Sequence, residues 1–425
     1  MEKIVINGGN RLSGEVTITG AKNAALGILP ATILGKGEFI IENLPDIQDI
    51  RNYISILSKM GARIQREGTT LQIDTGSISG AFSDDVAEES TKMRASYYLL
   101  GAMLATYGKV SLPMPGGCNI GARPIDLHIK GFKALGAEVE LKYGYIDVKA
   151  EHLKGANIYM DMVSVGATIN IMLASVRAEG ITIIENAAKE PHVVDIANFL
   201  NLMGANIRGA GTDVIKVTGV AELHACEYSV VPDQITAGTY MVAAAATKGN
   251  VLIKNVIPTH LESITAKLIE MGADVEVYDD SLRVIGKEQL LPAAVKTLPY
   301  PGFPTDLQQP MGVLMCLADG VSNITESIFE NRFKYVDELN RMGADILVNG
   351  RTAVFNGGKP LYGARIKATD LRAGAAMIIA GLVAEGTTEI TELKHIDRGY
   401  ENIVEKFSAL GADIQRITEE DSEEA

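Results

Sequence analysis

Two periods organise the hydrophobic positions of this chain. From 50 to 60, Ile50, Tyr53, Ile54, Leu57 and Met60 fall three or four residues apart, the spacing of one helix face. Gly61 follows where a left-handed cap closes such a helix. Other stretches, 24–34, 96–107, 168–178 and 237–247, are apolar on nearly every side. Helices of that kind exclude water all round, so the pattern predicts them inside and the amphipathic ones outside. Period-2 alternation marks strands at 138–141 and 145–148, and shorter apolar runs mark strands at 3–6 and 38–41.

The same order of elements recurs. An apolar residue followed by Gly-Ala places its glycine at 61, 136, 204, 272, 343 and 411, a period of about 70 residues. A second glycine series at 37, 108, 180, 249, 320 and 386 keeps the same period, each glycine between an Ala-rich helix and a strand. Each of the six units reads helix, strand, helix, strand, strand, with room for one more strand. Six such units exceed one core, so three per domain is expected, with a break near Val231-Pro232-Asp233.

Composition narrows the class. Hydrophobic residues make up 47% and charged residues 22% of 425, with no Trp, so the cores are aliphatic. The net charge of −14 argues against nucleic acid and anionic membranes as partners. No apolar run is long enough to span a bilayer, and the stretch Met-Glu-Lys-Ile-Val-Ile reads as a strand rather than a signal peptide. Three cysteines, Cys118, Cys226 and Cys316, make no disulfide framework, which points to a reducing cytoplasm. Scattered His and Cys residues give no metal-ligand spacing, so no structural zinc site is expected, and neither a metal nor a cofactor belongs to the chemistry expected below.

Candidate chemistry gathers in the run 115–128, Pro-Gly-Gly-Cys-Asn-Ile-Gly-Ala-Arg-Pro-Ile-Asp-Leu-His. Gly116 and Gly117 permit a tight turn before Cys118. Arg123 is biased to an extended conformation by Pro124, and Pro124 suits the first position of a helix. A thiol, an arginine and a helix N-terminus together favour an anion and a reactive sulfur. The plain alternative is a loop with a small packed Cys. Further polar runs open the first helices of successive repeats: Gly20-Ala21-Lys22-Asn23, Thr91-Lys92-Met93-Arg94, Ser164-Val165-Gly166, Phe303-Pro304-Thr305-Asp306 and Thr369-Asp370-Leu371-Arg372. Glu330-Asn331-Arg332 and His395-Ile396-Asp397-Arg398 precede second helices. Taken singly, Lys22, Arg94 and Arg372 read as solvated surface residues, Asp306 and Asp370 as helix N-caps, and Arg398 as a surface partner of Asp397 or Glu401.

Together these runs resemble the UDP-N-acetylglucosamine 1-carboxyvinyltransferase family over nearly the whole chain. The resemblance implies an α/β enolpyruvyl transferase fold, two globes each of three βαβαββ units. It implies domains of 1–21 with 232–425 and of 22–231, the chain crossing twice. It implies transfer of the enolpyruvyl group of phosphoenolpyruvate to the 3′-hydroxyl of UDP-N-acetylglucosamine with release of phosphate. Cys118 would then be the acid and covalent nucleophile, open to alkylation by fosfomycin, and Asp306 the base. Lys22, Arg123, Arg332, Arg372 and Arg398 would cradle phosphoenolpyruvate, with Asn23 beside them and also orienting the sugar. Arg94, Arg123, Pro124, Ile125, Asp126, Leu127, Ser164, Val165, Gly166, Asp306 and Ile328 would line the UDP-sugar site. Met162 and Gln234 depart from the Lys and Arg expected there, a change that suits a second copy of the enzyme. The rivals are the shikimate-pathway enolpyruvyl transferase, which lacks the Cys loop, and a UDP-sugar-sensing relative without catalysis.

Overall fold

The computed structural model describes residues 2–80, 83–114 and 124–418. Residues 115–123, and with them Cys118 and Arg123, lie outside the described residues. The chain forms two compact units, one of residues 2–19 and 232–418, the other of the described residues between 20 and 231. Each has its own hydrophobic core.

The six Gly-Ala glycines end helices as the spacing requires. Gly61, Gly136, Gly204, Gly272, Gly343 and Gly411 all have φ between 92° and 107°, a region a side chain would strain. The apolar helices are buried. In the middle unit these are Lys22–Ala31, Tyr98–Tyr107 and Val165–Ser175. In the other they are Gln234–Ala246, Gln308–Leu317 and Leu371–Val383. Several begin two or three residues before the apolar pattern does. Ser164 and Asp233 accept hydrogen bonds from the first free N–H groups, so the helix starts directly after its cap. Pro124 is not the first helical residue: the helix is Asp126–Ala134, with Ile125 at its N-cap. The second helices expose a polar face, with one departure. Pro191–Leu202 buries most of its surface, including Asp195, because its sequence is apolar on several sides and it packs on Lys22–Ala31.

Each repeat folds its strands into a small sheet. In the first, Glu38–Glu42 pairs antiparallel with Thr70–Asp74, which pairs with Arg63–Glu67. A short parallel strand, Glu227–Ser229, completes the order. Five of the six sheets have four strands and one has three among the described residues. The last sheet borrows its third strand from the other end of the sequence: Glu2–Asn7 lies between Thr387–Thr391 and Asp413–Thr418. The segments leading into each crossing are strands too, Ser13–Thr17 pairing with Asn250–Lys254 just as Glu227–Ser229 pairs with Glu38–Glu42. No helix among the described residues is long and apolar enough to cross a membrane.

Candidate active site

In the unit of residues 232–418, the repeat geometry brings Asp306, Arg332 and Arg372 together. Asp306 sits in the 3-10 turn Thr305–Leu307, just before Gln308–Leu317. Arg332 donates through Nη2 to Asp306 Oδ1 at 2.6 Å, and Arg372 through Nε to Oδ2 at 3.2 Å. Each carboxylate oxygen thus holds one guanidinium. The arginine side chains are 3% exposed and Asp306 is 27% exposed, so the carboxylate is the member of the trio that solvent reaches. Arg332 Nε and Arg372 Nη1 are buried with no hydrogen-bond partner among the described residues.

The surroundings fix both guanidiniums. Arg332 lies over the Phe329 ring and Arg372 over that of Tyr400. Burial works against the Arg372 charge, and Tyr400, Asp306 and Asp233 more than restore it. Burial also raises the Tyr400 phenol, which stays neutral and shares a 2.9 Å hydrogen bond with Thr239. Asp370 is an N-cap, accepting from the N–H groups of Arg372 and Ala373, and so orients the start of the helix that carries Arg372. Asp306 is not a cap: its oxygens are taken by arginine. Arg372 and Lys22 are not solvated surface residues, being 3% and 7% exposed.

Glu326 went unrecognised in the sequence. It is fully buried and accepts from Thr297 and Thr305 hydroxyls at 2.9 Å and from the N–H groups of Ile328 and Phe329 at 2.8 and 3.1 Å. It therefore ties the turn before Asp306 to the turn carrying Ile328 and to the ring under Arg332. Its only sequence signal is a carboxylate following the strand Val321–Thr325, ahead of the Glu330–Arg332 run. Arg398 stands half-buried in the turn before Tyr400. Asp397 is held by Arg416 at 2.7 Å and Glu401 by Lys406 at 3.1 Å.

In the middle unit Lys22 opens a buried helix, with Asn23 beside it, and pairs with Asp49 at 2.8 Å. Arg94 opens the turn Arg94–Tyr97 and lies over the Tyr97 ring, its pKa lowered by burial. The Tyr97 ring meets that of His128, whose Nδ1 is 3.0 Å from Asn170 Nδ2. Since the amide nitrogen can only donate, Nδ1 accepts and His128 is neutral. Burial, with Arg94 adding to it, lowers its pKa to about 4. Its Nε2 faces Gly166 in the first turn of Val165–Ser175, where an added Cβ would stand 3.2 Å away. Arg94, Ser164, Val165 and Gly166 are thus linked through Tyr97, His128 and Asn170. Leu127 and Ile125 are buried, while Pro124 and Asp126 are exposed. Met162 is 64% exposed, and Gln234 follows the Asp233 cap. The thiols of Cys226 and Cys316 are pushed up by burial to about 11 and about 12, so neither is a thiolate at neutral pH. Among the described residues no cluster of His, Cys, Asp and Glu could hold a metal ion.

Comparison with known proteins gives the lineage. The model of EPSP synthase (3-phosphoshikimate 1-carboxyvinyltransferase) matches residues 6–407. UDP-N-acetylglucosamine 1-carboxyvinyltransferase 3 of Caldanaerobacter subterraneus subsp. tengcongensis is 58% identical over 99% of this chain and 100% of its own. The Clostridium botulinum enzyme of that name is 60% identical over 98% of this chain and all of its own, and Bacillus subtilis enzyme 2 is 54% identical over 100% and 99%. Among solved structures, the enolpyruvyl transferase NikO of Streptomyces tendae superposes with a TM-score of 0.89 at 26% identity, covering 99% of each chain. EPSP synthase of Acinetobacter baumannii superposes at 0.77 and 20% identity over 98% and 100%, a likeness of fold alone. With the fold, the six repeats and end-to-end identity in agreement, the chain belongs to the enolpyruvyl transferases, and within them to the UDP-N-acetylglucosamine 1-carboxyvinyltransferase family.

Proposed function

We propose that this protein transfers the enolpyruvyl group of phosphoenolpyruvate to the 3′-hydroxyl of UDP-N-acetylglucosamine, releasing phosphate, as the first committed step of peptidoglycan synthesis in the cytoplasm. What carries the reading is the carboxylate of Asp306 set between two buried guanidiniums, in a chain whose relatives bear the name of this activity over their full length. Phosphoenolpyruvate brings a phosphate and a carboxylate, and permanent cations in fixed positions suit both. Arg332 and Arg372 supply two of them, and Lys22, Arg123 and Arg398 are assigned to the same substrate.

Addition joins the hydroxyl oxygen to C2 of phosphoenolpyruvate and puts a proton on C3. Asp306 takes the hydroxyl proton. Cys118, outside the described residues, is assigned the donation to C3. Elimination then removes a C3 proton and breaks the C2–O bond to phosphate, restoring the double bond. The linked group of Arg94, Ser164, Val165 and Gly166, with Pro124–Leu127, is assigned to the nucleotide sugar, and Asn23 and Ile328 to its sugar end.

Phosphate release from phosphoenolpyruvate, measured with and without UDP-N-acetylglucosamine, tests the reading. Release should require the nucleotide sugar. Asp306→Asn should lower kcat by about 100-fold or more and leave the KM for the nucleotide sugar nearly unchanged. Release driven instead by a phosphorylated shikimate would favour the sister activity, and no release with either acceptor would favour a sensing protein.

A further inference from the structure

Resting on that reading, we propose that Asp306 is an internal stand-in for the substrate's carboxylate: it holds Arg332 and Arg372 in the ligand-free protein and is displaced when phosphoenolpyruvate binds, which frees it to act as base.

Three features carry this. First, the pairing has the form that recognises a carboxylate: one planar group, two oxygens, one guanidinium on each. Second, the arginines retain buried donors, Arg332 Nε and Arg372 Nη1, that no described residue satisfies. A buried N–H of a charged group left without an acceptor is costly, so the pair is an incomplete anion site as it stands. Third, access is ordered. Both guanidiniums are 3% exposed beneath a carboxylate that is 27% exposed. An anion arriving from solvent meets Asp306 before it reaches the arginine donors.

The exchange has a chemical use. A carboxylate bound by two guanidiniums has its lone pairs occupied and accepts a proton poorly. Once a substrate carboxylate takes its place, both Asp306 oxygens are released a few ångströms from the bound electrophile. The base is therefore armed by the substrate whose attack it assists, and a hydroxyl arriving first meets a masked base.

The experiment measures ligand binding with turnover disabled, so its outcome is independent of the activity assay. Affinities for phosphoenolpyruvate and for vinyl phosphate, the same enol phosphate without the carboxylate, are compared in wild type and Asp306→Asn. If Asp306 competes for the carboxylate subsite, removing it should tighten phosphoenolpyruvate by about tenfold, as for a site occupied by its competitor in nine molecules of ten. Vinyl phosphate should change much less. Equal tightening of both ligands would reduce the effect to general charge and overturn the exchange, as would no tightening of phosphoenolpyruvate. A structure of the wild-type protein with phosphoenolpyruvate gives a check that needs no variant. The Asp306–Arg332 contact, 2.6 Å without ligand, should open beyond hydrogen-bond reach. Its persistence beside bound ligand would also overturn the proposal.

Discussion

Asp195 and His128 are buried side chains whose environments make stability depend on pH in opposite senses. Asp195 accepts from the Tyr228 hydroxyl at 2.5 Å and from Val231 N–H at 3.3 Å, yet burial outweighs both and raises its pKa to about 6. A raised carboxyl pKa favours the folded state below the unfolded value near 4, and that contribution disappears as pH rises through 6. For His128, lowered to about 4, the contribution is present above 6.5 and disappears as pH falls toward 4. Each spans roughly two units, on the order of 3 kcal/mol. Relative to wild type, Asp195→Asn should gain stability between pH 4 and 7, and His128→Gln should lose it over the same range. Urea unfolding at a series of pH values measures both. Curves for the variants that run parallel to wild type would refute these assignments.

At the scale of elements, the buried helices Tyr98–Tyr107 and Val165–Ser175 are held by one polar side chain and one missing one. Asn170 accepts from Gly101 N–H at 2.8 Å, donates to the Tyr97 carbonyl at 2.8 Å and faces His128. A Cβ on Gly101 would stand 2.4 Å from the Asn170 carbonyl oxygen and 2.6 Å from its side-chain oxygen. Backbone of a packed helix cannot yield that distance. Gly101→Ala gains about 1 kcal/mol of helix propensity and loses about 3 kcal/mol or more to overpacking, so thermal stability should fall. An unchanged melting temperature would mean that the helices have room to part. The helices themselves were legible from periodicity, because burial on all sides leaves an unbroken apolar run. Their polar ties were not. Asn170 looks like an isolated amide in such a run, and Glu326 like an ordinary surface acid. The Asp306 trio was half legible: Asp306 and Arg372 stand out where first helices open in successive repeats, and Arg332 ahead of a second helix. Their mutual pairing spans 26 and 66 residues and leaves no local pattern.

For the whole molecule, the repeat period told how many units to expect and the order of elements in each, but not which strands pair across units, as Glu227–Ser229 does with Glu38–Glu42. Glu2–Asn7 reads as a strand, but nothing in its own residues says that its neighbours are Thr387–Thr391 and Asp413–Thr418. The resemblance implied that residues 1–21 join 232–425 but named no partner strand. Ile4 and Ile6 are buried in that sheet, each contributing about 1.5–3 kcal/mol, and the strand is hydrogen-bonded along both edges. Deleting residues 2–7 should therefore unfold the 232–418 unit, while the helices of the middle unit keep their amide protection in hydrogen exchange. Loss of protection in both units alike would show that they do not fold separately.

That borrowed strand also imposes an order on synthesis. Asn7 and its partner Thr387 are 380 positions apart, so Glu2–Asn7 leaves the ribosome with no sheet to join. The middle unit can close as soon as Val231 has emerged, and the rest of the chain then extends from a finished body. Through all of that time Lys3–Ile6 is an apolar strand with two bare edges, the form most open to wrong pairing. Glu2–Asn7, made well before its partner strands, is thus among the last segments to fold, and chaperone demand should be greatest while residues 232–418 are being made.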